Sequence, residues 1–231
     1  MSSLDGRVVV IAGAGGSLGP HLARGLAEAG ATLALGDIAT DRLEGIEAAD
    51  RRALDILDPA AVADWARELE ERFGHVDAVV HIVGGWRGGS PLADAPLDDW
   101  AFLSNLLVRT AQHTSRAFFG ALERSGKGRF VLMSAKQAAT PTHDNAAYAA
   151  AKAAAEAWVR ALAHGFAQGD SGATANIVAI NALVTPEMRA AEPDKAFKTF
   201  TDAGDIAEAI RFLLSDAGAK MNGQRLALYG G

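Results

Sequence analysis

Residues 12–19 read AGAGGSLG, directly behind the apolar run RVVVIA at 7–12. Four glycines within seven residues, Gly13, Gly15, Gly16 and Gly19, interrupt a β-branched run just before an Ala/Leu-rich stretch. A strand that passes into a helix through such a loop leaves backbone N–H groups uncovered. A phosphate can settle on them only where no Cβ intervenes. The spacing G-x-x-G-x-x-G runs through Gly13, Gly16 and Gly19, while Ser17 and Leu18 stand where stricter fingerprints require glycine. Ser17 is small enough to lie against a phosphate and can donate its hydroxyl to it. Gly19 lets the helix approach the strand closely. The loop is expected to cradle a pyrophosphate, with Gly13, Gly15, Ser17, Leu18 and Gly19 in contact.

Outward from this turn, short β-branched runs alternate with longer amphipathic segments. Strands are expected at 7–12, 32–37, 53–56, 76–83, 129–134, 175–180 and 225–229, with helices near 18–29, 40–48, 59–73, 97–124, 146–168 and 204–215. Strands that are apolar on nearly every residue, separated by helices, form a parallel sheet covered on both faces. Right-handed crossovers then predict a doubly wound α/β domain of three α/β/α layers, Rossmann-like, with about seven strands. The 231 residues suit a single domain spanning 1–231, and there is no linker or repeat.

Composition narrows the function. A net charge of −6 with no Lys/Arg run argues against nucleic acid or an anionic membrane as partner. The chain has no cysteine, which removes thiol nucleophiles, disulfides and cysteine metal sites. Its histidines lack metal-ligand spacing, so no metal site is expected. No apolar stretch approaches the roughly 20 residues of a membrane span, and a cytoplasmic location is the expectation.

Two further features carry chemistry. Asp37 closes the second expected strand, eighteen residues after Gly19, with Ile38 beside it. A carboxylate there accepts hydrogen bonds from ribose hydroxyls and repels a 2′-phosphate, which favours NAD over NADP. Tyr148 and Lys152 stand four apart in AAYAAAKAAAEAW, on one face of a helix. A nearby ammonium stabilises tyrosinate and lowers a phenol from its usual pKa near ~10, which suits Tyr148 to acid/base work.

With these residues in place the chain resembles the short-chain dehydrogenase/reductase family, in its compact single-domain branch. The resemblance covers nearly the whole chain: AGAGGSLG, Asp37, Asp55-Ile56, HIVG at 81–84 where the family has Asn-Asn-Ala-Gly, Asn105 in LSNLLV, Y-x-x-x-K at 148–152 and the ending NGQRLALYGG. It implies that Tyr148 exchanges a proton with the substrate oxygen and that Lys152 binds the nicotinamide ribose. It implies that Asn105 anchors a relay water, and that Asp55 and Ile56 meet the adenine. Gly84 would give the cofactor room, and Thr185 would approach the carboxamide. The family serine that polarises the carbonyl lies thirteen residues before the tyrosine, where this chain has Ala135; the adjacent Ser134 is the candidate for that role, with Thr140 or Thr142 as substitutes. His81 reads as a packed structural histidine.

Substrate is expected over the C-terminal strand ends, between loops at 84–96, 135–145 and 183–203. Trp86, Met188, Phe197 and Phe200 offer an apolar wall, and Arg87, Lys136 and Arg189 could meet an anionic substrate group. The expected activity is NAD(P)-dependent interconversion of a secondary alcohol and a ketone, with NAD as the cofactor. The alternative is a dinucleotide-binding relative with weak or no catalysis, acting as a sensor or oligomer partner, suggested by Ala135. The long helices near 97–124 and 146–168 resemble those of the family's dimer contact, which implies a homodimer or homotetramer.

Overall fold

The computed structural model describes residues 3–229. The first strand, β1 (Val8–Ala12), is VVVIA and is buried at every position. It therefore sits at the centre of a sheet with both faces covered. Val8, Val10 and Ala12 face one core, built around Trp65, Phe118 and Phe130. Val9 and Ile11 face the other, with Leu22, Leu26 and Ile210.

The chain continues through α1 (Gly19–Glu28), β2 (Thr32–Asp37), β3 (Asp50–Ala53), α2 (Pro59–Phe73), β4 (Ala78–His81), α3 (Asp98–Leu103) and α4 (Thr110–Arg124). It then forms β5 (Arg129–Ala135), α5 (Ala146–Ala167), β6 (Thr174–Ile180), β7 (Ala182–Val184), α6 (Pro186–Ala191), β8 (Phe200–Asp202), α7 (Ala203–Leu214) and β9 (Arg225–Ala227). Seven strands make one parallel sheet in the order β3-β2-β1-β4-β5-β6-β9. Strands β7 and β8 form a separate two-stranded ribbon. Helices α1 and α7 cover one face of the sheet, while α2, α4 and α5 cover the other. The doubly wound, three-layer Rossmann-like architecture expected from the sequence is thus present. The strand order reverses between β1 and β4, which opens a crevice at their C-terminal ends.

Local chemistry sets the element boundaries. Asp58 caps α2 by accepting from the N–H groups of Ala60 and Ala61, Pro59 starts the helix, and Gly74 ends it with φ +80°. Gly36 sits in β2 because a Cβ there would lie 2.6 Å from the ring of Trp65, which is fully buried beneath it.

The strands expected at 76–83 and 225–229 are shorter, β7, α6 and β8 are additional to the expectation, and three expected elements differ more substantially. The helix expected at 40–48 is a single 3-10 turn, Thr40–Leu43, followed by Gly45 at φ +74°. The third strand lies at 50–53 rather than 53–56. It is an edge strand whose side chains are alternately half-buried and exposed, so its signal is charged rather than apolar. The helix expected at 97–124 is interrupted by a π-helical turn, Ser104–Arg109.

Trp65 is wedged between β2 and Phe118, with ring centroids 5.7 Å apart, and donates its indole N–H to Asp50. Trp65→Ala is expected to lower the unfolding free energy by about 3–5 kcal/mol, measured by urea denaturation; a loss under ~1 kcal/mol would contradict this packing.

Candidate active site

A cavity of about 750 Å³ opens over the C-terminal strand ends. At one end its wall is Gly13, Gly16, Ser17 and Leu18. Gly13 has φ +89°, and a Cβ there would stand 2.8 Å from the backbone nitrogen of Val83, so the turn lies directly on the end of β4. Gly15 and Gly19 do not line the cavity; their work is in packing. A Cβ on Gly19 would collide with the carbonyl of Ala14 at 1.8 Å. The N–H of Gly15 donates to Asp37 at 2.9 Å, and its missing Cβ makes room for Asp37 and Arg42.

Asp37 lines the same end. One carboxylate oxygen accepts from Gly15 and the other from the N–H of Ile38 at 2.8 Å. Arg42, which also lines the cavity, brings its guanidinium to 3.9 Å from Asp37. Ile38, Asp55 and Ile56 complete this end, with Ile38 65% exposed. Gly84 lies in the wall further along.

Toward β5 and α5 the wall contains Tyr148 and Lys152. Lys152 is 5% exposed and donates to the carbonyl of Met133 at 3.0 Å. Burial lowers its pKa to about 8, opposed by the negative charge of Glu156 one helical turn further on. Burial likewise pushes the Tyr148 phenol up to about 12. The sequence predicts a phenol acidified by the ammonium; in the structure the phenol is shifted the other way, by loss of hydration.

Of three further expected participants, Ser134 lines the cavity, whereas Asn105 and Thr185 do not. Ser134 is buried, and its hydroxyl donates to Glu156 at 2.7 Å rather than to Tyr148. Ala135 follows it in β5, and neither substitute reaches the cavity: Thr140 donates to the carbonyl of Lys136, and Thr142 to Asp144. Asn105 is exposed on the π-helical turn and does not line the cavity, because the extra residue in that turn rotates Leu106 and Thr110 inward instead. Thr185 is buried as the N-cap of α6, where its hydroxyl accepts from the N–H of Met188. The neighbouring lining residues are Asn181, Ala182 and Leu183.

His81 is fully buried at the end of β4. Thr110 donates its hydroxyl to the carbonyl of Leu106 at 2.6 Å, so toward His81 it accepts. The imidazole therefore carries its proton on Nε2, 3.2 Å from that hydroxyl, and Nδ1 has no partner among the described residues. Burial, reinforced by the positive charge of Lys152, lowers the His81 pKa to about 3.

Residues the sequence reading missed are Arg42, Leu106, Thr110 and Asn181. Arg42 follows Asp37 by five positions and could have been weighed. The others depend on the π-helical turn and on the end of β6, which no sequence signal announced.

The fold and this cavity define a nucleotide-binding class of α/β protein, and sequence comparison specifies it further. Residues 13–231 match the family described as Enoyl-(Acyl carrier protein) reductase. The chain is 29% identical to 7alpha-hydroxysteroid dehydrogenase of Escherichia coli, covering 99% of this chain and 94% of that one. It is 32% identical to an uncharacterised oxidoreductase of Mycobacterium tuberculosis, covering 100% and 94%. A gluconate 5-dehydrogenase from Burkholderia cenocepacia, in complex with NADP and tartrate, superposes with a TM-score of 0.85 at 28% identity, covering 99% and 96%. An NAD+-bound xylitol dehydrogenase shares the fold with a TM-score of 0.84 at 24% identity, covering 98% and 99%. The chain belongs to the short-chain dehydrogenase/reductase family of oxidoreductases.

The buried, neutral His81 has a pH consequence. Its pKa falls from an unfolded value near ~6.5 to about 3. Between those values the unfolded chain binds the extra proton. The stability is fully present above the unfolded value and is lost as pH falls toward the folded one. His81→Asn is expected to flatten this stretch of the acid limb, read as unfolding free energy against pH; an unchanged slope would contradict a neutral buried imidazole.

Proposed function

We propose that the protein is a nicotinamide-dinucleotide-dependent oxidoreductase that interconverts a secondary alcohol and a ketone. One observation carries this reading: the glycine turn, Asp37 and the Tyr148/Lys152 pair all line a single cavity. The residues present fit a dinucleotide. The turn offers backbone without side chains at Gly13 and Gly16. Asp37 keeps acceptor capacity on both oxygens beyond its two backbone bonds. Asp55 and Ile56 provide a carboxylate and an apolar face for the adenine.

The bound cofactor supplies hydride transfer; the chain supplies binding and the proton. Tyr148 holds the proton at its phenolic oxygen and passes it to or from the substrate oxygen. Lys152, four residues on, turns its ammonium toward the ribose and favours the ionised phenol. A pKa of about 12 without ligand means that this positive charge must be brought close for Tyr148 to work near neutral pH.

NAD is the expected cofactor, on the strength of Asp37. Arg42 favours a second possibility, because a guanidinium at the same end can meet a 2′-phosphate. NADP is therefore the lesser cofactor in our reading. The Ser134–Glu156 bond favours a different second reading, a dinucleotide-binding protein with weak or no turnover, since it removes the expected carbonyl-polarising hydroxyl. Robust NAD(H)-linked turnover in a screen of alcohols and ketones separates the two. A homodimer or homotetramer through the outer faces of α4 and α5 is supported by a recess there lined by Phe119, Trp158 and Leu162.

Tyr148→Phe is expected to reduce kcat/KM by about 100- to 10,000-fold while leaving NADH affinity within a few-fold; unchanged turnover would remove Tyr148 from its role. Asp37→Ser is expected to raise the kcat/KM ratio of NADP+ to NAD+ by about tenfold or more, by removing the repelling charge and freeing Arg42. A ratio that does not move would show that Asp37 does not face the ribose.

A further inference from the structure

Resting on the reading of this cavity as an oxidoreductase site, we propose that its substrate is an uncharged, largely apolar alcohol or ketone, and that carboxylated or phosphorylated substrates are rejected. The β4–β6 side of the cavity is lined by Trp86, Leu106, Met133, Ala135, Ala182 and Leu183. Apart from the Tyr148 hydroxyl, its neutral side-chain donors are engaged: Thr110 donates to the carbonyl of Leu106, Ser134 to Glu156, and Asn181 to the carbonyl of Thr199 at 3.2 Å. Among the described residues the only cation lining this side is Lys152, which is bound to the Met133 carbonyl and assigned to the cofactor.

The loop cations that the sequence offered to an anionic group are used elsewhere. Arg87 lies 3.3 Å from Asp99 and stacks over the ring of Phe102 at 3.6 Å. Arg189 makes two bonds to Asp202, both at 3.1 Å. Lys195 pairs with Glu192 at 3.0 Å, and Lys136 stands over the ring of Tyr229 at 5.5 Å. Lys198 is exposed and lies outside the lining, and Arg42 sits at the far end beside Asp37. A substrate carboxylate entering such a site gives up hydration and finds no counter-charge, a large penalty. An apolar ring loses nothing of the kind, and Trp86, 59% exposed, offers it a face at the mouth.

The test uses one ring with and without the charge: methyl 4-oxocyclohexanecarboxylate and 4-oxocyclohexanecarboxylate. Each is titrated calorimetrically into the enzyme–NAD+ complex, where a ketone binds without reacting, and each is also assayed as an oxidant of NADH. The ester is expected to bind at least about tenfold more tightly and to show the higher kcat/KM. Trp86→Arg, a change at an exposed position, is expected to narrow that ratio by improving the acid. Absence of NAD+ binding by the wild type would overturn the cofactor reading and this inference with it. With NAD+ bound, an acid that binds as tightly as the ester, or failure of both to bind, overturns the inference alone.

Discussion

The site is organised around a positive charge held out of water. The Lys152 ammonium lies at the C-terminal end of the sheet with one carbonyl, that of Met133, as its hydrogen-bond acceptor. A buried amine left to itself sheds its proton. Here Glu156, one turn along α5, supplies the opposing field. Glu156 is itself 3% exposed and is held in a network. Arg225 donates to both its oxygens at 3.0 and 3.1 Å, Arg160 donates at 2.9 Å, and Ser134 adds its hydroxyl. Arg225 also reaches the carbonyl of Ala135. The C-terminal strand thus sustains the charge beside Tyr148 although it contributes no residue to the cavity wall. The same network explains why Ser134 is withheld from the substrate: its hydroxyl belongs to the carboxylate that keeps Lys152 charged.

The sheet provides the remaining constraint. Placing β1 beside β4 sends the two chain directions apart and leaves a crevice that neither following helix covers. The glycine turn closes one end of it because Gly13 can approach Val83 and Gly19 can approach Ala14 without side chains. Asp37 then locks the turn to the end of β2 through Gly15. Loop, acidic residue and helix pair converge on one cavity although the helix pair lies more than a hundred residues beyond the other two in the chain.

Much of this was legible beforehand because it depends on local pattern. The glycines, the strand-terminal Asp37 and the helical spacing of Tyr148 and Lys152 announce their elements directly. The differences depend on partners and turns that local pattern does not announce. Ser134 and Ala135 both line the crevice, but the Ser134 hydroxyl is taken up by Glu156, twenty-two residues on. Asn105 takes its expected role from the family resemblance alone; in this chain it lies exposed on the π-helical turn at 104–109. Thr185 precedes Pro186, a pattern that also reads as a helix cap, and the cap is what forms. Strand β3 was displaced in the reading because its alternating charged residues satisfy an edge, not a core. The tyrosine acidity was misjudged because pair attraction is visible in a sequence and desolvation is not.

The central claim is that one cavity holds a dinucleotide along its length with the Tyr148 hydroxyl at the reacting end. A crystal structure of the chain grown with NADH tests it most directly. The account predicts the pyrophosphate on the backbone between Gly13 and Leu18, the ribose at Asp37, and the nicotinamide ring beside Tyr148 with Lys152 turned from the Met133 carbonyl to its ribose. A dinucleotide found elsewhere, or lying in the cavity with its nicotinamide directed away from Tyr148, would contradict it.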